Sequence, residues 1–522
     1  MKRSIAALAA LGATALVLTA CAGGDAEATG DTVKIAIQTD PGSLNPITNA
    51  TDAGQNVLAF GYESLLNYPP GEDPEGILAE SWEATTTEVA FTLKDGIVCA
   101  DGEPLTASDV KATFEYAADD ATGSPFKGVY FPASGLTIAA DDDARTVTFT
   151  AENAESFLAE TIGSLPIVCA SGLSDPSVLE SEFHGTGPYT LEDFSPGQTY
   201  DYALRDDYAW GPGGVTSKTE GLPANVEVQI VESDATSANL LQTGEVDIAT
   251  VGGTERDRLD SQTFTQTLDV PLRPGLVFFN QAEGRVGHDL VVRQAIAQAL
   301  DSSAVGKVAS SGRGEQLVTL VSEFGAACTA MDSSSALYAY DVDAAGAALD
   351  EAGWTAGADG IRTKDGKPLK VLMLYPANES QGVTAAIELM QVELEKIGVD
   401  AVPSPSPSYT DVIFSGGDWD MVWAPIYTSL PSDWAGILGG EFPPDGGNWT
   451  YNTNQEYFDL VSVAQGLSGT ESCPAWQDAQ DSLFQNLEVL PFWSSTETFY
   501  GDGAEFALSK GVLSPTALRV AE

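Results

Sequence analysis

Between Pro368 and Ser404 the chain reads PLKVLMLY, then a helix-length stretch over Gln381–Ile397, then VDAVPS. Two apolar runs flanking a segment of helical periodicity make a β-α-β unit, and Gly398 stands where a helix C-cap belongs. That unit commits the chain to the α/β class, in which mixed layers of sheet and helix share a core.

The rest of the chain alternates in the same way. TVKIAIQTD carries Val33, Ile35 and Ile37 at strand spacing, and RTVTFT, YTLEDF, NVEVQIVE and GEVDIATV read as further strands. LTASDVKATFEYAAD reads as a helix that Thr106 can cap, with Asp109 at its third position and Val110, Phe114 and Ala117 on one face. Another helix begins near Asp234. The texture changes near Pro271: GLVFFNQ is a strand, DLVVRQAIAQALD a helix with Val292, Ile296 and Leu300 at four-residue spacing, and DVDAAGAALDEAGW a helix ending near Gly353. WDMVWAPIY is one more strand. VLPFWSS follows a short helix and brings the chain back toward its first region. Two mixed α/β lobes, with the C-terminus rejoining the first, are expected.

The N-terminus fixes the compartment. Lys2 and Arg3 precede an apolar run from Ile5 to Leu18, which is shorter than the ~20 residues that span a bilayer and has the proportions of a signal peptide. Leu18-Thr19-Ala20-Cys21 matches a lipobox, so residues 1–20 are expected to be removed and Cys21 acylated, with 21–31 as lipidated terminus and tether. No later stretch approaches bilayer length, so the membrane is met through the lipid anchor alone. Four further cysteines, Cys99, Cys169, Cys328 and Cys473, suit two disulfides in an exported chain. Pairing each within its own region gives 99–169 and 328–473.

With 76 acidic and 23 basic residues the formal net charge is −53. A surface this acidic repels nucleic acid and anionic headgroups. The acids are scattered along the chain, which favours solvation over a dedicated cation site. Chemistry has few candidates. His184 and His288 are the only histidines and sit in no H-E-x-x-H; there is no C-x₂-C, G-x-S-x-G, P-loop, G-x-G-x-x-G or EF-hand loop. Neither a metal nor a cofactor is expected, and no turnover. A two-carboxylate glycosidase leaves no local signature, so a cell-surface hydrolase stands as the alternative from another class.

Aromatic residues beside turns and strand ends are the remaining signal: Tyr62, Phe126, Phe278, Phe279, Trp423, Tyr427, Trp434, Trp449, Phe492 and Trp493. Any one of them can be core. Ligand clefts nevertheless form at strand ends and between lobes, so a tethered, non-catalytic, two-lobed chain reads as a ligand catcher.

Several segments, taken in order, resemble one family. DPGSLNP (Asp40–Pro46), LAESWEATTTEVAFTLKDGIVCADGEPLTASDVKATFEY (Leu78–Tyr116), GTGPYTL (Gly185–Leu191), LLQTGEVDIA (Leu240–Ala249), VRQAIAQALD (Val292–Asp301), LDEAGW (Leu349–Trp354) and LPFW (Leu490–Trp493) resemble the extracellular solute-binding lipoproteins of family 5, the peptide/nickel group serving ABC importers. WGPGG, SGRGE and the cysteine pattern resemble its actinobacterial branch. The resemblance implies a two-lobed periplasmic-binding-protein-like fold of the large type, with an extra subdomain in the first lobe. Lobe I would be 32–270 plus 488–522 and lobe II 271–487. It further implies a monomer on the extracytoplasmic face of the membrane that hands a peptide to permease subunits. Its cleft would draw on Tyr62, Phe126, Asn280, Trp423, Ala424, Ile426, Tyr427, Trp449, Phe492 and Trp493.

One position departs from the pattern. Peptide binders of this family carry an aspartate three residues after the cleft tryptophan, where it pairs with the peptide amino terminus. Here WAPIYTSLPSDW places Ile426 there. An oligosaccharide or other neutral solute stacked on aromatics is therefore the second expectation.

Overall fold

The computed structural model describes residues 32–521 apart from 133, 273–274, 378–379, 427 and 444–445. Cys21, its tether and Tyr427 thus lie outside the described residues. The expected β-α-β unit is strand Lys370–Pro376, helix Gln381–Lys396 and strand Asp400–Ser406. The two strands are parallel from Lys370↔Asp400 to Pro376↔Ser406. The helix buries Val383, Ala386, Ile387, Met390 and Leu394, one stripe at the 3.6-residue period. Burying each of the larger of these side chains contributes about 1.5–3 kcal/mol. Gly398 ends the unit at φ +81°, a backbone state with little cost only for glycine.

Two large sheets organise the chain into its two lobes. The first has seven strands in the order Gln266–Leu272, Ser495–Gly501, Ile248–Val251, Thr32–Ile37, Asn225–Ile230, Thr199–Leu204 and Tyr189–Ser195. Thr32–Ile37 runs parallel to both of its neighbours. The second has five: Asp400–Ser406, Lys370–Pro376, Met421–Ala424, Leu276–Phe279 and Val489–Pro491. A four-stranded antiparallel sheet between Ala79 and Ala151 packs on helix Ala107–Ala118 through Phe91, Phe114 and Phe149. That helix opens with a capping box. Thr106 accepts from Asp109 N at 3.1 Å, and Asp109 accepts from Thr106 N at 2.8 Å.

The chain passes between the large sheets twice, after Leu272 and after Pro491. At the crossings Gly275 N donates to Trp493 O at 3.0 Å, and Phe492 N donates to Gly275 O at 2.9 Å. The single short helix expected before VLPFWSS is instead a pair, Gln455–Gln465 and Cys473–Gln485. Their mates across the lobe junction include Ser156, whose hydroxyl donates to Ala464 O and accepts from Trp476 Nε1. The two disulfides are Cys99–Cys169 and Cys328–Cys473. No helix among the described residues is long and apolar enough to cross a membrane.

Candidate functional site

Ligand sites in α/β sheets gather beyond the carboxyl ends of the parallel strands. In the first lobe those ends are tied by one side chain. Asp234, opening helix Asp234–Thr243 after strand Asn225–Ile230, accepts from Gln38 Nε2 at 2.6 Å and from Gly252 N at 3.1 Å. Gln38 follows strand Thr32–Ile37 and Gly252 follows Ile248–Val251. Glu497, on the neighbouring strand, accepts no hydrogen bond among the described residues. Burial pushes it up to about 7, with Asp234 and Asp52 adding to the rise and Arg256 opposing it.

Arg256 itself is buried. It donates to Thr496 O at 3.0 Å, Thr496 Oγ1 at 2.6 Å and Asp269 Oδ1 at 2.8 Å. It lines a cavity of about 420 Å³ at the lobe junction, walled on the other side by the segment Arg313–Glu323. That segment is laid along the returning strand: Ser494 N donates to Glu315 O, and Leu317 N to Phe492 O. An edge of extended backbone beside a cavity between two lobes can meet an extended solute with main-chain hydrogen bonds.

A second cavity, about 270 Å³, lies in the first lobe, with Asp52, Tyr62, Glu63, Tyr130 and Lys510 among its lining. Glu63 is buried and fully satisfied, accepting from Tyr208 OH at 2.6 Å, Trp210 Nε1 at 2.8 Å and Thr186 Oγ1 at 2.9 Å. Burial pushes its carboxyl up, against those three donors. It braces the wall. A wider crevice of about 980 Å³ separates Gly71–Pro74 from the segment holding Cys328 and Met331.

The residues singled out from the sequence divide among these surroundings. Tyr62 lines the first-lobe cavity, its hydroxyl donating to Glu182 O and accepting from His184 N. Phe126 is buried and stacks on Tyr130 at 4.7 Å. Trp423 is 3% exposed and stacks on Phe492 at 5.8 Å; Ala424, beside it in the strand, is wholly buried. Trp449 packs against Phe278 at 4.8 Å and Trp419 at 5.9 Å. Asn280 is buried with its amide donating to Trp419 O at 3.1 Å. Ile426 is half-buried against the main core, and Trp493 is half-buried with Nε1 donating to Arg313 O at 3.2 Å. Trp423, Phe492 and Trp493 therefore meet around the crossings, whereas Phe126 and Tyr62 sit toward the first-lobe cavity. Asp234, Arg256, Glu497 and Lys510 were not legible as site residues, because a lone charged residue in so acidic a chain has no local signature. Among the described residues no group of three or more His, Cys, Asp or Glu is placed to hold a metal ion.

A sequence profile described as bacterial extracellular solute-binding proteins, family 5 Middle, matches residues 73–445. Protein XP55 of Streptomyces lividans is 26% identical over 466 residues, covering 86% of this chain and 78% of its own length. A Brucella ovis protein, assigned by inference as an ABC transporter peptide-binding protein, is 25% identical over 458 residues, 84% of this chain and 81% of its own. Among solved structures, a substrate binding protein from Microbacterium hydrocarbonoxydans complexed with 4-hydroxybenzoate hydrazide is similar at TM-score 0.72 and 25% identity. The match covers 94% of this chain and all of that one.

Proposed function

Because this chain belongs to family 5 of the bacterial extracellular solute-binding proteins, we propose that it captures a solute, in the first instance a peptide, and delivers it to the permease of an ABC importer. The observation that carries the reading is the pair of crossings at Gly275 and Phe492–Trp493, joined by two main-chain hydrogen bonds beside the 420 Å³ cavity. Two short crossings let two packed bodies rotate about one line, which is how a hinge closes a cleft on its ligand. In this proposal 32–270 with 488–522 is one moving body and 271–487 the other. Cys21 carries the acyl anchor, holding a monomer at the extracytoplasmic face of the membrane. In this reading the solute is released chemically unchanged; the buried carboxyl group of Glu63 is held by three donors.

The peptide preference rests on the backbone edge Arg313–Glu323 and on the relative named above. Trp423 and Phe492 are buried against each other, and Trp449 against Phe278 and Trp419, which weighs against sugar stacking. Mass spectrometry of solute released from the purified, natively processed protein tests the reading. Peptides should be recovered intact and should raise the melting temperature when added back; cleavage of an added peptide pool by the protein overturns it.

A further inference from the structure

At the lobe junction, Lys510 has no bonded counter-ion among the described residues. Lys510 and Gly511 form the two-residue turn between strands Leu508–Ser509 and Val512–Leu513. Both have left-handed backbones, at φ +50° and +82°. Asparagine, aspartate or glycine is usual at the first of these positions; a lysine there holds its backbone against preference. The side chain is half-buried and reaches the mouth of the first-lobe cavity. Its Nζ lies 4.5 Å from the ring centroid of Tyr68 and 4.8 Å from that of Tyr130. Two ring faces favour a cation, yet the ammonium donates no hydrogen bond among the described residues.

The charged groups around it are engaged elsewhere or stand off from it. Asp433, from the first turn of helix Asp433–Leu438 in the other lobe, is the group that supports the ammonium. It already accepts from Leu430 N at 3.1 Å, and no ion pair joins it to Lys510 among the described residues. Burial pushes Asp433 up to about 7 and Lys510 down to about 7, and the attraction between the two opposes both shifts without cancelling them. Glu155 raises Asp433 further. Tyr130, beside both, is pushed up to about 12 by burial and by Asp433 and Asp52, so its hydroxyl keeps its proton. Glu63, deeper in the cavity, is satisfied by its three donors, and Lys94 is spent on Gly76 O and Trp210 O.

We propose that Lys510 is a specificity-determining residue of the solute site: its ammonium, held between Tyr68 and Tyr130, takes a carboxylate of the solute as the lobes meet. This rests on the solute-capture reading. A chain of net charge −53 attracts cations over its whole surface, so an acid needs a dedicated cation to be held. A single carboxylate completes Lys510 with charge-assisted hydrogen bonds. A neutral glycan would leave the ammonium desolvated and unpaired.

Calorimetric titration with tetraalanine and its C-terminal amide provides the test, together with mass spectrometry of solutes that co-purify from the cell. The wild type should bind the acid about tenfold or more tightly than the amide, the scale of a hydrogen bond to a charged group. Lys510→Met should erase that difference and lose the co-purified acids, whereas Lys510→Arg should keep both; thermal melts of the two variants establish that each is folded. Equal binding of acid and amide by the wild type, or unchanged discrimination in a folded Lys510→Met, overturns the proposal. So does a co-purified solute without a carboxylate, and in each of these cases solute capture itself stands. If the wild type neither carries nor binds any solute, both readings fall together.

Discussion

A Cβ placed on Gly275 would stand 2.3 Å from Cζ2 of Trp423. The glycine lies at the first crossing, with its N–H and carbonyl both bonded to the second crossing, and the indole fills the side a methyl group would need. Trp423 is core, stacked on Phe492, so it has little room to retreat. Gly275→Ala is expected to destabilise the protein by about 1–3 kcal/mol, the usual cost of overpacking. Gly436→Ala, in a helix with open space at its Cβ, should be neutral or stabilising by up to about 1 kcal/mol. Denaturant unfolding of both variants checks the contrast; equal effects would mean that the crossing is not tightly packed.

The Gly275–Trp423 contact also separates what the sequence could reveal from what it could not. The β-α-β unit, the Thr106–Asp109 capping box and the C-terminal return rest on neighbours within a few residues or on simple periodicity. They were legible for that reason. That Trp423 would stack on Phe492 and press on Gly275 depends on pairing Leu276–Phe279 with both Met421–Ala424 and Val489–Pro491, contacts made across more than a hundred residues. Asp234 is one of 76 acidic residues until the fold brings Gln38 and Gly252 to it. Lys510 looks like an ordinary hairpin residue until Tyr68, Tyr130 and Asp433 converge on it from three separate stretches.

Four buried or half-buried groups predict an unusual dependence of stability on pH. Burial pushes Asp433 from 3.8, and Glu488 and Glu497 from 4.5, up to about 7. A carboxyl that binds its proton more tightly when folded stabilises the fold below its unfolded pKa, and loses that contribution as pH climbs to about 7. Lys510, lowered from 10.5 to about 7, has the opposite slope: its contribution improves as pH rises from about 7 toward 10.5. Together these groups favour a minimum near neutrality. The melting temperature at fixed ionic strength should therefore be higher at pH 5 than at pH 7, and Glu497→Gln should reduce that gain. A gain unchanged in Glu497→Gln would remove this residue from the account.

The disulfides close loops spanning 70 and 145 residues of sequence separation. Cys328–Cys473 ties the segment lining the wide crevice to the start of helix Cys473–Gln485. Removing either bridge by paired Cys→Ser substitution is expected to cost about 2–5 kcal/mol. Non-reducing peptide maps should return these two pairs and no free thiol at the four positions. Denaturant midpoints with and without reductant measure the energetic part, and an unshifted midpoint on full reduction would contradict it.

The proposed acyl anchor at Cys21 has a direct test. In a host with intact lipoprotein processing the protein should partition into detergent. Cys21→Ser should move it to the aqueous phase, because one or more acyl chains supply about 0.8 kcal/mol for each buried methylene. Persistence of an acylated, membrane-bound Cys21→Ser protein would rule the anchor out.

The final prediction concerns Ile426, which the sequence resemblance sets where peptide binders of the family carry an amine-binding aspartate. Its side chain is half-buried against the core, and its N–H donates to Ala424 O at 3.0 Å, so the position cannot supply a charge. An ammonium shut in a cleft without an anion loses several kcal/mol of solvation. Peptides with a blocked amino end are therefore expected to bind at least as well as free ones, with the carboxyl end seated on Lys510. Ile426→Asp should shift the preference toward free peptides by about tenfold, the scale of a charge-assisted hydrogen bond. Matched free and N-acetylated tetraalanine, titrated into wild type and variant, measures both terms. Tight binding of the free form by the wild type, lost on acetylation, would move the amine site to another carboxylate. Asp433 is then the first to substitute: it faces the junction from the second lobe, and Asp433→Asn should abolish the preference in that event.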